Sequence, residues 1–130
     1  MSAYFRLSEA ADPSPAELAQ GWDRALAPLA DLSRRFDRPV LLTEVGYPAI
    51  AGAASAPWRE GHGPADVWLQ SRLYESAFRA ISRRPWIVGA FPWLWERTAE
   101  PPFRDPSYSI QGKPAAFTLA RWYVGEGGVP

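Results

Sequence analysis

Val40-Leu41-Leu42-Thr43-Glu44-Val45 is an aliphatic and β-branched run closed by Gly46 and Pro48. It reads as a strand apolar on both faces, and such strands belong to parallel sheets covered by helices. A second apolar run, Trp86 to Trp95, follows one helical pattern later. Only Arg38-Pro39 and Arg83-Arg84-Pro85 separate the preceding helical patterns from the two runs, whereas residues 46–63 and 96–111 form long loops after them. Most connections in compact domains have about 4–6 residues. Short helix-to-strand junctions with long strand-to-helix loops are the layout of (β/α) barrels, where loops after the strands build the site. A doubly wound sheet has the same logic and is the alternative fold. Glu44 and the segment from Trp93 to Glu96 stand where either fold places its chemistry.

The helices have their own signals. Ser14-Pro15-Ala16-Glu17 is a capping box with proline at the first helical position, and Leu18, Trp22, Leu26, Leu29, Leu32 and Phe36 recur at helical spacing. This predicts a helix over 15–36, bent or divided at Pro28. Pro64-Ala65-Asp66 opens a second helix whose face carries Val67, Gln70, Leu73, Tyr74, Ala77, Phe78 and Ile81. A last helix runs from about Pro114 to Val124 before Gly125, Gly127 and Gly128. Pro92 argues against an interior strand position there, and Trp22, Trp68, Trp86 and Trp122 are expected in helix–sheet packing.

Composition narrows the partners. The 130 residues suit one domain, and 14 Lys+Arg against 14 Asp+Glu leave no net field to collect nucleic acid or anionic lipid. Cysteine is absent and His62 is the single histidine, which excludes disulfide frameworks, thiolate metal sites and a histidine-built metal centre. The longest apolar stretch falls short of the roughly 20 residues of a membrane-spanning helix. The amino terminus carries Arg6 and Glu9 where a secretory signal needs an uninterrupted apolar region, so the expectation is a cytoplasmic chain. Seven tryptophans without net charge suggest a saccharide partner.

Four elements in order, Thr43-Glu44-Val45-Gly46-Tyr47, Gln70 with Tyr74, Gly89-Ala90-Phe91-Pro92-Trp93-Leu94-Trp95, and Tyr108-Ser109-Ile110-Gln111-Gly112-Lys113-Pro114, resemble the carboxy-terminal third of the family 113 β-mannanases, retaining glycoside hydrolases. Ala3-Tyr4-Phe5 is similar to the end of their sixth barrel strand. The resemblance implies an α/β fold: part of a (β/α)8 TIM barrel, from the end of strand six through helix eight, with residues 1–130 the carboxy-terminal portion of one domain. It implies that Glu44 is the nucleophile, that Tyr4 orients it, and that Tyr4, Tyr47, Trp93 and Trp95 meet the sugar. No metal or organic cofactor is implied. The partners implied are a β-linked oligo- or polysaccharide and either the remaining amino-terminal barrel or a second copy of the chain. The family's acid/base glutamate follows an asparagine at the end of strand four; this chain has no asparagine, so it is expected to be inactive alone.

Spacing alone leaves blander alternatives. From spacing, Glu44 reads first as a strand-end carboxylate reaching solvent or pairing with an arginine, although Val40 and Leu42, taken to share its face, place it above a packed interior. Trp93 and Trp95 fit core packing as well as sugar platforms. Glu96 reads as a solvated loop residue, and Trp58, Arg59, Glu60 and His62 either line a subsite or decorate the long loop. Gln70 and Tyr74, one turn apart, are expected to fasten their helix to the sheet. A non-catalytic domain binding a carbohydrate or a partner through its tryptophan-rich edge is the alternative function.

Overall fold

The computed structural model describes residues 1–61 and 64–125. His62 and the closing Gly127 and Gly128 lie outside them. Helix α1 spans Pro15–Phe36, strand β1 Val40–Gly46, helix α2 Val67–Ser82, strand β2 Ile87–Trp93 and helix α3 Pro114–Val124, with a short 3-10 turn at Pro102–Arg104.

The capping box forms: Ser14 N–H donates to Glu17 Oε2 at 2.8 Å and Glu17 N–H to Ser14 Oγ at 3.3 Å. Helix α1 is continuous across Pro28. Pro28 lies on the exposed face, where a carbonyl that loses its donor is open to solvent, so the proline does not divide the helix. Helix α2 starts at Val67 rather than at Pro64, because Asp66 is its N-cap and accepts from Leu69 N–H at 2.9 Å. Pro92 lies inside β2, paired with Val45. Among the described residues β2 has one strand neighbour, so a missing N–H on its other edge breaks no ladder.

β1 and β2 are parallel. The amino-terminal segment lies beside β1 in the same sense: Met1 N donates to Leu41 O at 2.8 Å, Thr43 N to Met1 O at 2.9 Å and Ala3 N to Glu44 O at 2.7 Å. Three parallel segments thus sit in chain order, with α1 and α2 as the crossovers. The helices cover one side only. Leu18, Trp22 and Leu26 of α1, Leu69, Leu73 and Ala77 of α2, and Leu119 of α3 pack with Leu42, Val45 and Ile87 of the strands.

That core overturns the strict alternation expected along β1. Leu42 and Val45 are both fully buried on the helix side although three residues apart, and the register slips between them, where Leu42 pairs with Ala90 and Val45 with Pro92. One extra residue on β1 makes a bulge, and the bulge switches the face. Glu44 consequently lies opposite Val45 on the open face, not beside Leu42. Leu41, Phe91 and Trp93 share that open face and are exposed. Gly89 leaves room there for Leu41, whose Cδ1 lies 2.9 Å from where a Cβ on residue 89 would sit. Two further expectations fail at the periphery. Trp68 is 65 % exposed beside Phe103 rather than packed on the sheet. Leu32 and Phe36 continue the apolar stripe of α1 past the last element that covers it, and they too are exposed.

Candidate active site

At the carboxy-terminal end of β1 the Tyr4 phenol stands beside the Glu44 carboxylate, near enough for the two groups to interact electrostatically. Burial first, and then the neighbouring Glu44 carboxylate, push the Tyr4 phenol well above its ordinary range, so it stays protonated. Glu44 takes part in no ion pair among the described residues. It is therefore not the arginine-paired surface glutamate that spacing alone allows.

Gly46 brings the second strand close. A Cβ there would lie 2.7 Å from Trp93 O, 3.0 Å from Trp93 Cβ and 3.1 Å from Tyr4 Cε1. Only a glycine lets Tyr4 and Trp93 approach from both sides of the strand end, and so the phenol, the carboxylate and the indole gather at one mouth. Trp93 is 44 % and Trp95 64 % exposed, so neither belongs to the core of the described residues. The peptide between Trp93 and Leu94 is cis.

Helix α2 fastens this mouth from beneath, as its Gln70 and Tyr74 suggest. Tyr74 Oη donates to Trp93 O at 2.8 Å and lies 3.3 Å from Val45 O, so one buried hydroxyl bridges both strand ends. Gln70 Nε2 donates to Tyr47 O at 2.9 Å and lies 3.4 and 3.3 Å from the Ser107 and Tyr108 carbonyls. It thereby joins the loop after β1 to the loop after β2. Tyr47 is placed differently from expectation: it is fully buried, edge-on to Tyr74 at 5.4 Å, and has no surface with which to touch a sugar. The bulge explains this, because resetting the alternation sends the side chains after Gly46 toward the helices.

Three contributors were not singled out from sequence. Tyr108 stands edge-on to Tyr4 at 6.1 Å and its hydroxyl donates to Pro57 O, linking both long loops above Glu44. Lys113 and Asp105 form a buried ion pair, with Lys113 Nζ 3.1 Å from Asp105 Oδ2 and 3.0 Å from Ser107 O. Burial pushes the Asp105 carboxyl up, but the Ser107 N–H and hydroxyl and the Lys113 ammonium outweigh it and hold the carboxyl below its ordinary range. Burial lowers the Lys113 ammonium, an effect Asp105 partly offsets. This pair fixes the turn that presents Tyr108. The Gly112-Lys113-Pro114 string was the available signal, but nothing in it says that the lysine is buried.

Glu96 is exposed, and its carbonyl accepts from Ser109 Oγ. Trp58, Arg59 and Glu60 are exposed in the loop after β1. Among the described residues no three His, Cys, Asp or Glu side chains gather as a metal site. No helix among them is long and apolar enough to cross a membrane.

The sequence matches the model of Glycoside Hydrolase Family 113 over residues 1–113. No curated protein matches it. Among solved structures, a complex of a family 113 β-1,4-mannanase superposes with a TM-score of 0.79 at 22% identity, over 96% of this chain and 38% of that one. The family 113 β-mannanase of Alicyclobacillus acidocaldarius, solved in complex with ManMIm, is 32% identical with a TM-score of 0.69, over 79% of this chain and 34% of that one. A β-glucuronidase of Bifidobacterium dentium shares the fold more loosely, with a TM-score of 0.51 at 24% identity over 80% of this chain and 18% of that one. The chain thus spans little more than a third of the length of either mannanase. The family match contains Tyr4, Glu44, Gly46, Trp93 and the Asp105–Lys113 pair, and the chain belongs to glycoside hydrolase family 113.

Proposed function

We propose that this chain supplies the nucleophile strand of a retaining, β-mannanase-like glycoside hydrolase. On this reading residues 1–130 are the carboxy-terminal portion of one (β/α)8 barrel domain. The segment through Ala3-Tyr4-Phe5 is the end of its sixth strand, β1 and β2 are the seventh and eighth, and α3 is the eighth helix. The observation that carries it is the position of Glu44 near the end of a parallel strand, beside the Tyr4 phenol, with Tyr4 and Trp93 closing on Gly46 two residues later.

The chemistry follows from the charges. The Glu44 carboxylate attacks the anomeric carbon and forms a glycosyl ester while the glycosidic bond breaks. A second carboxyl about 5 Å away protonates the leaving oxygen, then takes a proton from the water that hydrolyses the ester. Tyr4, which stays protonated beside Glu44, orients that carboxylate for attack. Trp93 and Trp95 offer indole faces to the apolar C–H faces of the sugar. Tyr47 contributes beneath the mouth, through Gln70. The second carboxyl is not assigned to a residue of this chain, and the reading is that it comes from the rest of the barrel, the chain being inactive on unactivated mannan alone. That remaining portion, or a second copy, is also what covers Leu41 and Phe91. The substrate proposed is β-linked mannan, by the likeness to the β-mannanases.

An aryl β-mannoside with a dinitrophenolate leaving group tests this, because such a group departs without protonation. Release of dinitrophenolate by the chain and its loss in Glu44→Gln are expected; equal release by both removes Glu44 from the reaction. A non-catalytic, saccharide-binding half-barrel is the second reading, favoured by the exposure of Trp93 and Trp95. It predicts no release from either protein, and mannan affinity that survives Glu44→Gln but not Trp93→Ala.

A further inference from the structure

The segment that brings Tyr4 to Glu44 also holds a second exposed indole. Phe5 packs edge-on against the core Trp22 at 5.7 Å, which leaves Tyr4 and Arg6 on the other side of the segment. The Arg6 guanidinium lies 5.7 Å from the centroid of the Trp58 ring, and its Nε donates to Ser55 O at 3.0 Å in the same loop. Tyr108, edge-on to Tyr4, donates its hydroxyl to the carbonyl of Pro57, the residue before Trp58. Two independent routes therefore tie Trp58 to the Tyr4–Glu44 pair. Trp93 approaches the same pair from the other strand, across Gly46.

Trp58 is 54 % exposed with the guanidinium over its ring. The guanidinium lies against an indole that remains more than half exposed. Fixing it before binding lowers the ordering cost of stacking a sugar on it.

We propose that Trp58 is a second saccharide platform and that a β-linked mannan chain lies across Glu44 between Trp58 and Trp93. This rests on the function proposed above and extends it: the ligand is held on both sides of the carboxylate, so affinity rises with chain length and the linkage addressed is interior. Arg6 is a positioning residue that acts through Trp58.

Calorimetric titration of the 130-residue chain with β-1,4-mannohexaose and with β-1,4-mannobiose tests the proposal. Trp58→Ala is expected to weaken hexaose binding about tenfold or more while biose binding stays within about twofold. Trp58→Phe, which keeps a ring and guards against a folding artefact, is expected to restore most of the hexaose affinity. Unchanged hexaose affinity in Trp58→Ala, alongside its loss in Trp93→Ala, overturns the second platform alone. Equal loss for both ligands overturns the two-sided arrangement. Failure of the unsubstituted chain to bind either ligand overturns the proposed function, and this inference with it.

Discussion

Gly46→Ala probes the geometry that gathers the mouth. The added methyl would sit 2.7 Å from Trp93 O, and that oxygen must retreat by about 0.7 Å to reach the 3.4 Å at which ordinary contact begins. It is a backbone atom, so no rotamer change relieves the clash. Moving it also stretches the 2.8 Å hydrogen bond from Tyr74. Overpacking costs about 1–3 kcal/mol, and a clash against backbone belongs in the upper half, so about 2 kcal/mol is expected, or about 6–10 °C in Tm. Urea unfolding followed by tryptophan fluorescence measures it. Gly52→Ala is the comparator, because Gly52 has φ 79° and its nearest atom would be Ser55 Oγ at 3.8 Å. Its cost is torsional, about 1–2 kcal/mol, with no displacement of Trp93. The two variants are therefore comparable in stability loss, but only Gly46→Ala separates Tyr4 from Trp93 and weakens mannohexaose binding. A Gly46→Ala chain within about 0.5 kcal/mol of the original, with unchanged binding, refutes the close approach.

The pair beneath the loop gives further tests. Lys113→Met leaves the Asp105 carboxylate buried without its cation and is expected to cost about 3–5 kcal/mol, with the Asp105→Asn, Lys113→Met double variant recovering most of it in the same urea assay. Because the folded Asp105 carboxyl lies below its ordinary range, its contribution is full above the unfolded value and is lost as pH falls through the folded one. Stability against urea should drop on acidification below about pH 4 and drop less in Asp105→Asn. Tyr74→Phe removes the hydroxyl that bridges the Val45 and Trp93 carbonyls and is expected to cost about 1–3 kcal/mol by thermal unfolding, leaving the α1 capping box untouched.

What sequence reveals here divides between local and non-local causes. The limits of α1 are legible because Ser14 and Glu17 cap each other within one turn, and β1 is legible because six consecutive residues favour a covered strand. The parallel order follows from junction lengths alone. The face of Glu44 is not legible, because the bulge between Leu42 and Val45 arises from register with β2, more than forty residues away. Alternation read along β1 alone therefore assigns Glu44 to the wrong side and leaves Tyr47 looking available. The exposure of Trp68 is equally non-local: its surroundings depend on where the 3-10 turn places Phe103. Lys113 resembles any surface lysine until Asp105 and Ser107 fold over it. Tyr108 and Arg6 acquire meaning only through Pro57 and Trp58, in a loop that carries no periodicity.

Trapping the reaction on the protein tests the central claim most directly. The chain is incubated with 2-deoxy-2-fluoro-β-mannosyl fluoride, whose fluoride departs without an acid and whose 2-fluorine slows hydrolysis of the ester, and is then digested and mapped by mass spectrometry. The account predicts one glycosylated peptide with the sugar on Glu44, absent from Glu44→Gln. A label on any other residue, or an equal label in Glu44→Gln, contradicts it.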